Sequence, residues 1–186
     1  MFTGWYNPDN FYFNKIIKDN FETIKSEGLQ LLGQKRFYDH KQSQENLNSK
    51  NTKIANKWKQ FSLYDGGAPD RYYMHIQYVP ITWNIISSIK EIMNCKHGLV
   101  YFSLIPAGGV VVPHKSGLKE KDRIRHQLCL ILPNESNPES VYLEVSNEKK
   151  SWQLGEIISF DDSYIHKAQN LSEEDRLVLL YDSNPI

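Results

Sequence analysis

The stretch Leu99-Val-Tyr-Phe-Ser-Leu-Ile-Pro-Ala-Gly-Gly-Val-Val-Val-Pro-His-Lys-Ser-Gly117 decides the architecture. An apolar run broken by one serine is followed by a Pro-Ala-Gly-Gly turn, and three valines then lead into Pro113-His114. Short β-rich runs bounded by Gly and Pro predict strands over Leu99–Ile105 and Val110–Pro113. The same pattern recurs at Ile124–Leu132, Val141–Val145, Glu156–Phe160 and Leu177–Tyr181, with no helix-length segment between them. Such spacing argues an antiparallel sandwich or barrel, and a small domain of this type with an internal metal is a jelly roll of the cupin kind.

Upstream the periodicity changes. Phe13, Ile16, Ile17, Phe21 and Ile24 fall three and four apart, which predicts one helical face, with Asn7-Pro8 at its start and Gly28 at its stop. Tyr38 to Lys57 is rich in Asn, Gln, Ser and Lys, and so polar a segment is expected to form a surface loop or lid. Trp58 to Tyr64 alternates as a strand does, and Gly66-Gly-Ala-Pro69 ends it. Pro80 opens a second helix carrying Ile81, Ile85, Ile89 and Ile92. The expected organisation is one domain over 1–186, mainly β with flanking α-helices, in which a helical and lid region (1–98) packs on a β core (99–186).

With 22 basic and 22 acidic residues the net charge is zero, so no global field draws the chain to nucleic acid or to an anionic membrane. An acidic ligand must be met by local arginines. Cys129 sits in an apolar run and Cys95 in a polar turn, which does not resemble a disulfide framework. The amino terminus has neither a basic leader nor an apolar core, and a soluble, cytoplasmic setting is expected. There is no internal repeat, no Gly-rich phosphate loop and no Cys-x-x-Cys pair, so nucleotide binding and structural zinc are unsupported.

Two histidines stand on separate β-rich segments. His114 follows a proline at the end of an apolar run, and His166 comes five residues after Asp161 in a segment expected to leave the sheet. Arg176 follows ten residues later. A non-haem Fe(II) oxygenase usually holds its metal with two His and one carboxylate, leaves the other coordination positions open, and needs a fixed cation for the far carboxylate of an oxo-acid co-substrate, which arginine's planar fork suits.

The words around these residues carry a resemblance. Ser103-Leu-Ile-Pro-Ala-Gly108, Pro113-His114, Arg123-Ile-Arg125, Leu130-Ile-Leu-Pro133, Trp152-Gln-Leu-Gly-Glu156, Phe160-Asp-Asp-Ser163 with His166, and Arg176 before Leu-Val-Leu-Leu-Tyr-Asp182 resemble the aspartyl/asparaginyl β-hydroxylase family in the same order. Asn20 to Leu29 and Trp58 to Tyr64 resemble its first helix and first long strand. The resemblance implies a double-stranded β-helix (jelly-roll, cupin-like) and dioxygenase chemistry using Fe(II), 2-oxoglutarate and O₂. It implies iron held by His114 and His166, and the distal carboxylate of 2-oxoglutarate held by Arg176 with Ser103. Arg123 and Arg125 would meet an anionic peptide or amino-acid-like substrate.

The chain departs from the family at several places. Ser116 stands where a facial-triad carboxylate would be, and some members of the family likewise bind iron through two histidines. Asp161 and Asp162 are read as turn or ligand-orienting carboxylates rather than ligands. The family's next co-substrate histidine falls at Gln127, with His126 its neighbour, and alternation lets only one of the two point inward. Tyr101 replaces a basic residue, and Gly66 stands in place of a glutamine. The expected activity is hydroxylation of an unactivated carbon, foremost the β-carbon of an Asp or Asn residue in a peptide or protein. The alternatives are a hydroxylase of a free amino acid or small peptide metabolite, and a non-catalytic cupin-like binding or sensing module.

Overall fold

The computed structural model describes residues 3–40, 57–119, 122–133 and 139–185. Strand β1 (Trp5–Tyr6) precedes helices α1 (Tyr12–Asp19) and α2 (Phe21–Gly33), and strands β2 (Tyr38–Asp39) and β3 (Lys59–Asp65) precede α3 (Pro80–Ser87) and α4 (Lys90–Met93). Eight strands follow: β4 (Leu99–Ile105), β5 (Gly109–His114), β6 (Ile124–Ile131), β7 (Val141–Val145), β8 (Glu148–Lys150), β9 (Ile157–Phe160), β10 (His166–Asn170) and β11 (Arg176–Ser183). The larger sheet has the order β1-β9-β6-β11-β4-β3-β2 and the smaller the order β5-β10-β7-β8. All pairs are antiparallel.

Alternation along the larger sheet divides the core in two. Val100, Phe102, Leu104, Leu128, Leu130, Leu177, Leu179 and Tyr181 pack toward Ile17, Ile24 and Leu31 of the helices. Their neighbours Tyr101, Ile105, Cys129, Val178 and Leu180 pack with Val111, Leu143, Val145 and Ala168 of the smaller sheet. Both faces of the central strands are therefore buried, which is why these strands read as nearly continuous apolar runs. A fully buried side chain such as Phe102 or Ile24 contributes roughly 1.5–3 kcal/mol.

The helical region differs from expectation: the first helix is divided into α1 and α2 at Asn20, the second into α3 and α4 with Ile89 capping the latter, and Ile16 and Ile81 are exposed. Gly28 does not end the first helix but lies within α2, where an added Cβ would stand 3.1 Å from Phe102 and 3.2 Å from Leu177. A glycine there lets the helix axis approach the sheet. Beside it in α2, the buried Glu27 carboxylate accepts hydrogen bonds from the backbone N–H groups of Ile81 (2.9 Å) and Thr82 (2.7 Å). An acidic group from a different helix thus satisfies the first turn of α3.

The strand from Trp58 is present as β3, and β1 to β3 all join the larger sheet, so the N-terminal region supplies strands as well as helices. Of the stretch expected as a loop or lid, residues 41–56 lie outside the described residues, while Tyr38–Asp39 pair with Gln60 and Lys59. His166 does not leave the sheet; it opens β10, paired on one side with β5 and on the other with β7. His-Lys-Ala-Gln-Asn lacks β-branched and aromatic residues, and it becomes a strand because ladders on both sides take up its backbone groups.

Candidate active site

His114, the last residue of β5, and His166, the first of β10, are Cα partners across their ladder, and their ring centroids lie 4.2 Å apart. His114 Nδ1 is 2.8 Å from the carbonyl oxygen of Val112, and His166 Nδ1 is 2.9 Å from that of Tyr164. A carbonyl only accepts, so each Nδ1 carries the proton and donates it, leaving Nε2 with its lone pair. Burial lowers the pKa of both rings, to about 3 for His166, where the adjacent His114 adds to the effect. Two neutral imidazoles with oriented Nε2 atoms fit a divalent iron or a similar metal. Among the described residues no third His, Cys, Asp or Glu joins them.

The two nearby aspartates are committed elsewhere. Asp161 accepts from the N–H of Ser163 at 2.9 Å, closing a local turn. Asp162 and Asp182 form a buried cluster with Arg123 and Arg125. Arg123 Nη2 reaches Asp162 at 2.5 Å, and Arg125 reaches Asp162 at 3.1 Å and Asp182 at 2.8 Å. Burial opposes ionisation of Asp162, but the two guanidinium groups outweigh it and hold the carboxyl well below its ordinary range. Both arginines expected at the substrate thus carry aspartate partners. Arg125 also lines the cavity between the sheets; Arg123 binds the carbonyl of His97 instead. Asp182 had a legible signal, since it shares strand parity with Arg176, Val178 and Leu180.

Ser103 on β4, Gln127 on β6 and Arg176 on β11 line the same cavity, with Trp58, Tyr101, Val111, Leu143, Ala168 and Leu180. Strand parity puts Gln127 between the sheets and His126 on the helix side. There His126 Nδ1 lies 2.8 Å from Ser159 Oγ, Nε2 lies 3.1 Å from Ser183 Oγ, and the ring stacks on Tyr181. The Trp58 indole donates to Ser103 Oγ at 3.0 Å, and the Trp152 indole donates to Gln127 Oε1 at 3.0 Å. The tryptophans lie in two of the quoted words, yet sequence reasoning assigned them no role.

Arg176 is the unusual group. Its side chain is buried, its Nε has no hydrogen-bond partner, and Nη1 reaches only the Ser103 carbonyl at 3.4 Å. Its guanidinium sits 4.6 Å from the Trp152 ring centroid. Burial lowers its pKa to about 10, with small opposing effects from Cys129 and Tyr101 and none from a carboxylate. Among the described residues it forms no ion pair. A buried cation without an anion is costly, and its presence calls for an anionic ligand.

Gly66 stands in a tight place. A Cβ at Gly66 would stand 2.4 Å from the carbonyl oxygen of Cys95, so the glutamine expected from the resemblance has no room at this position.

The profile described as Aspartyl/Asparaginyl beta-hydroxylase matches residues 18–185. The chain belongs to the aspartyl/asparaginyl β-hydroxylase family. Human aspartyl/asparaginyl beta-hydroxylase is 26% identical over 181 residues, which cover 96% of this chain and 22% of that protein. The chain therefore spans about a fifth of the human relative's length. An ornithine lipid ester-linked acyl 2-hydroxylase of Rhizobium tropici is 27% identical over 126 residues, covering 68% of this chain and 41% of that one. Among solved structures, a Pseudomonas putida prolyl-4-hydroxylase has a TM-score of 0.55 at 11% identity, covering 90% of this chain and 88% of its own. At that identity the likeness concerns the fold, a double-stranded β-helix with flanking helices. This member of a hydroxylase family carries the two histidines on the smaller sheet and its uncompensated arginine on the larger. No helix among the described residues is long and apolar enough to cross a membrane.

Proposed function

We propose that the chain is an Fe(II)- and 2-oxoglutarate-dependent dioxygenase hydroxylating an unactivated carbon, foremost the β-carbon of an Asp or Asn residue in a peptide or protein. The observation that carries this reading is Arg176, a buried guanidinium without an anionic partner, lining the same cavity as two neutral imidazoles with free Nε2 atoms. His114 and His166 would hold iron. Arg176, with the Ser103 hydroxyl and the Gln127 amide, would hold the distal carboxylate of 2-oxoglutarate. When bound, Fe(II) activates O₂ so that 2-oxoglutarate leaves as succinate and CO₂ while one oxygen atom goes to the substrate carbon.

The protein's part is positioning and exclusion of water. Trp58, Val111, Leu143, Ala168 and Leu180 give the cavity apolar walls that strengthen each polar contact inside it. Arg125 would orient the substrate, and its aspartate partners leave it less net charge for doing so than an unpaired arginine would have.

A second reading, a cupin-like binding module without turnover, is favoured by the neutral residues Ser116 and Gln127 at positions where charge or a histidine was expected. One assay separates the two: succinate formation from 2-oxoglutarate with Asp- and Asn-containing peptides and with free amino acids, in wild type and Ser116→Asp. The dioxygenase forms succinate in a substrate-dependent way. Absence of succinate above the iron-only background from both proteins, together with no 2-oxoglutarate binding in the presence of Fe(II), removes the dioxygenase reading.

A further inference from the structure

The buried tryptophan Trp152 touches two of the cavity's polar groups at once. Its ring lies beneath the Arg176 guanidinium, 4.6 Å from centroid to Cζ, and its Nε1–H donates to Gln127 Oε1 at 3.0 Å. An indole N–H has no acceptor capacity, so it can satisfy only the carbonyl end of a primary amide. The Gln127 carboxamide is thereby held in one of its two orientations, with Oε1 turned to the indole and the NH₂ left for the cavity that Gln127 lines. Without the indole the amide could turn over and present its carbonyl oxygen, which repels a carboxylate.

We propose that Trp152 is a positioning residue for co-substrate selection: by fixing the Gln127 amide as a donor beside Arg176, it makes this end of the cavity specific for a 2-oxo acid that carries a second, distal carboxylate. The inference rests on the dioxygenase reading for the identity of the co-substrate. The local geometry matches the role on the opposite side, where the Trp58 indole occupies Ser103 Oγ as an acceptor and leaves the hydroxyl proton to be donated. Ser103, Gln127 and Arg176 then all present donors. A site made of donors alone, with one uncompensated positive charge, discriminates by leaving its groups unpaired when the ligand lacks the anion.

The test compares two probes under nitrogen with Fe(II): 2-oxoglutarate, and pyruvate, which keeps the 2-oxo acid head and lacks the distal carboxylate. Trp152→Phe keeps a ring under Arg176 and removes only the N–H. It is expected to weaken 2-oxoglutarate binding about tenfold, the loss of one hydrogen bond to a charged group, while leaving pyruvate binding unchanged. In a Gln127→Leu background the Trp152→Phe penalty should vanish, because the indole acts through that amide. Should Trp152→Phe fail to fold, Trp152→Tyr, which likewise keeps a ring under Arg176 and lacks the indole N–H, makes the same decision through the same ratio of the two affinities. Equal losses for both probes, or an undiminished penalty in the Gln127→Leu background, overturns the positioning role. Wild-type protein that binds neither probe overturns the dioxygenase reading and this role together. Wild-type protein that binds 2-oxoglutarate, with Trp152→Phe binding it equally well, overturns this role alone.

Discussion

His126 and Gln127 are adjacent in β6 and face opposite sides of the larger sheet: His126 stacks on Tyr181 with ring centroids 5.0 Å apart, and Gln127 accepts from the Trp152 indole between the sheets. One residue of register separates a group buried for stability from a group that lines the site.

The His126 side of that relationship has a pH consequence. Burial lowers its pKa from 6.5 to about 3, so the folded ring is neutral while the unfolded ring takes up a proton below about pH 6.5. The unfolded state binds more protons between these values, and the stabilisation present above pH 6.5 is lost as pH falls, by about 1.4 kcal/mol per pH unit. Urea unfolding at pH 7.5 and pH 5.0 should show a smaller loss in His126→Gln than in wild type. Identical losses would mean that His126 is solvated and titrates normally.

The His pair makes a prediction about metal. Replacing His114 or His166 by Ala should abolish Fe(II) binding and 2-oxoglutarate turnover, whereas Asp161→Ala, which loses a turn hydrogen bond, should cost at most about 10–100-fold in metal affinity. Equilibrium dialysis under nitrogen measures both, and full iron occupancy in His114→Ala would refute the ligand assignment.

For Asp162 and Asp182 the expected loss is of stability. Removing either leaves two buried guanidinium groups sharing one carboxylate, an excess positive charge in the interior, and Asp162→Ala or Asp182→Ala should destabilise the fold by about 3–5 kcal/mol. Denaturant titration decides this. A loss no larger than that of an exposed pair such as Lys15 with Asp19, about 0.3–0.5 kcal/mol, would show the cluster to be solvated.

Arg176 should behave in the opposite sense. As a buried cation without a carboxylate partner it is a cost to the ligand-free fold, so Arg176→Met should raise stability by about 1–3 kcal/mol while eliminating 2-oxoglutarate binding. Arg176→Lys keeps the charge but loses the planar fork, and should weaken 2-oxoglutarate by about 1.5–3 kcal/mol. Thermal melts of the ligand-free proteins beside calorimetric titration read both effects. A less stable Arg176→Met protein would mean that the side chain has a structural partner.

The sequence by itself determined the strands whose identity is local. Leu99–Ile105 and Val141–Val145 are strands with the bounds read from their β-branched and aromatic runs, because residues buried on both faces leave an apolar pattern interrupted only by Ser103 in one and Glu144 in the other. It also identified His114, His166 and Arg176 as the residues to follow, since few side chains can bind a metal or grip a carboxylate. Tertiary structure alone decided what depends on partners distant in the chain. The five residues from His166, four of them polar, became a strand because β5 and β7 flank them, and that pairing brings the two imidazoles together. Asp182 reached Arg125 across fifty-seven residues, engaging a charge that sequence reading had assigned to a substrate. Gly28, expected to stop a helix, instead let one pack closely on Phe102. In each case the local preference is worth a few tenths to one kcal/mol, and burial or pairing with a remote partner exceeds it.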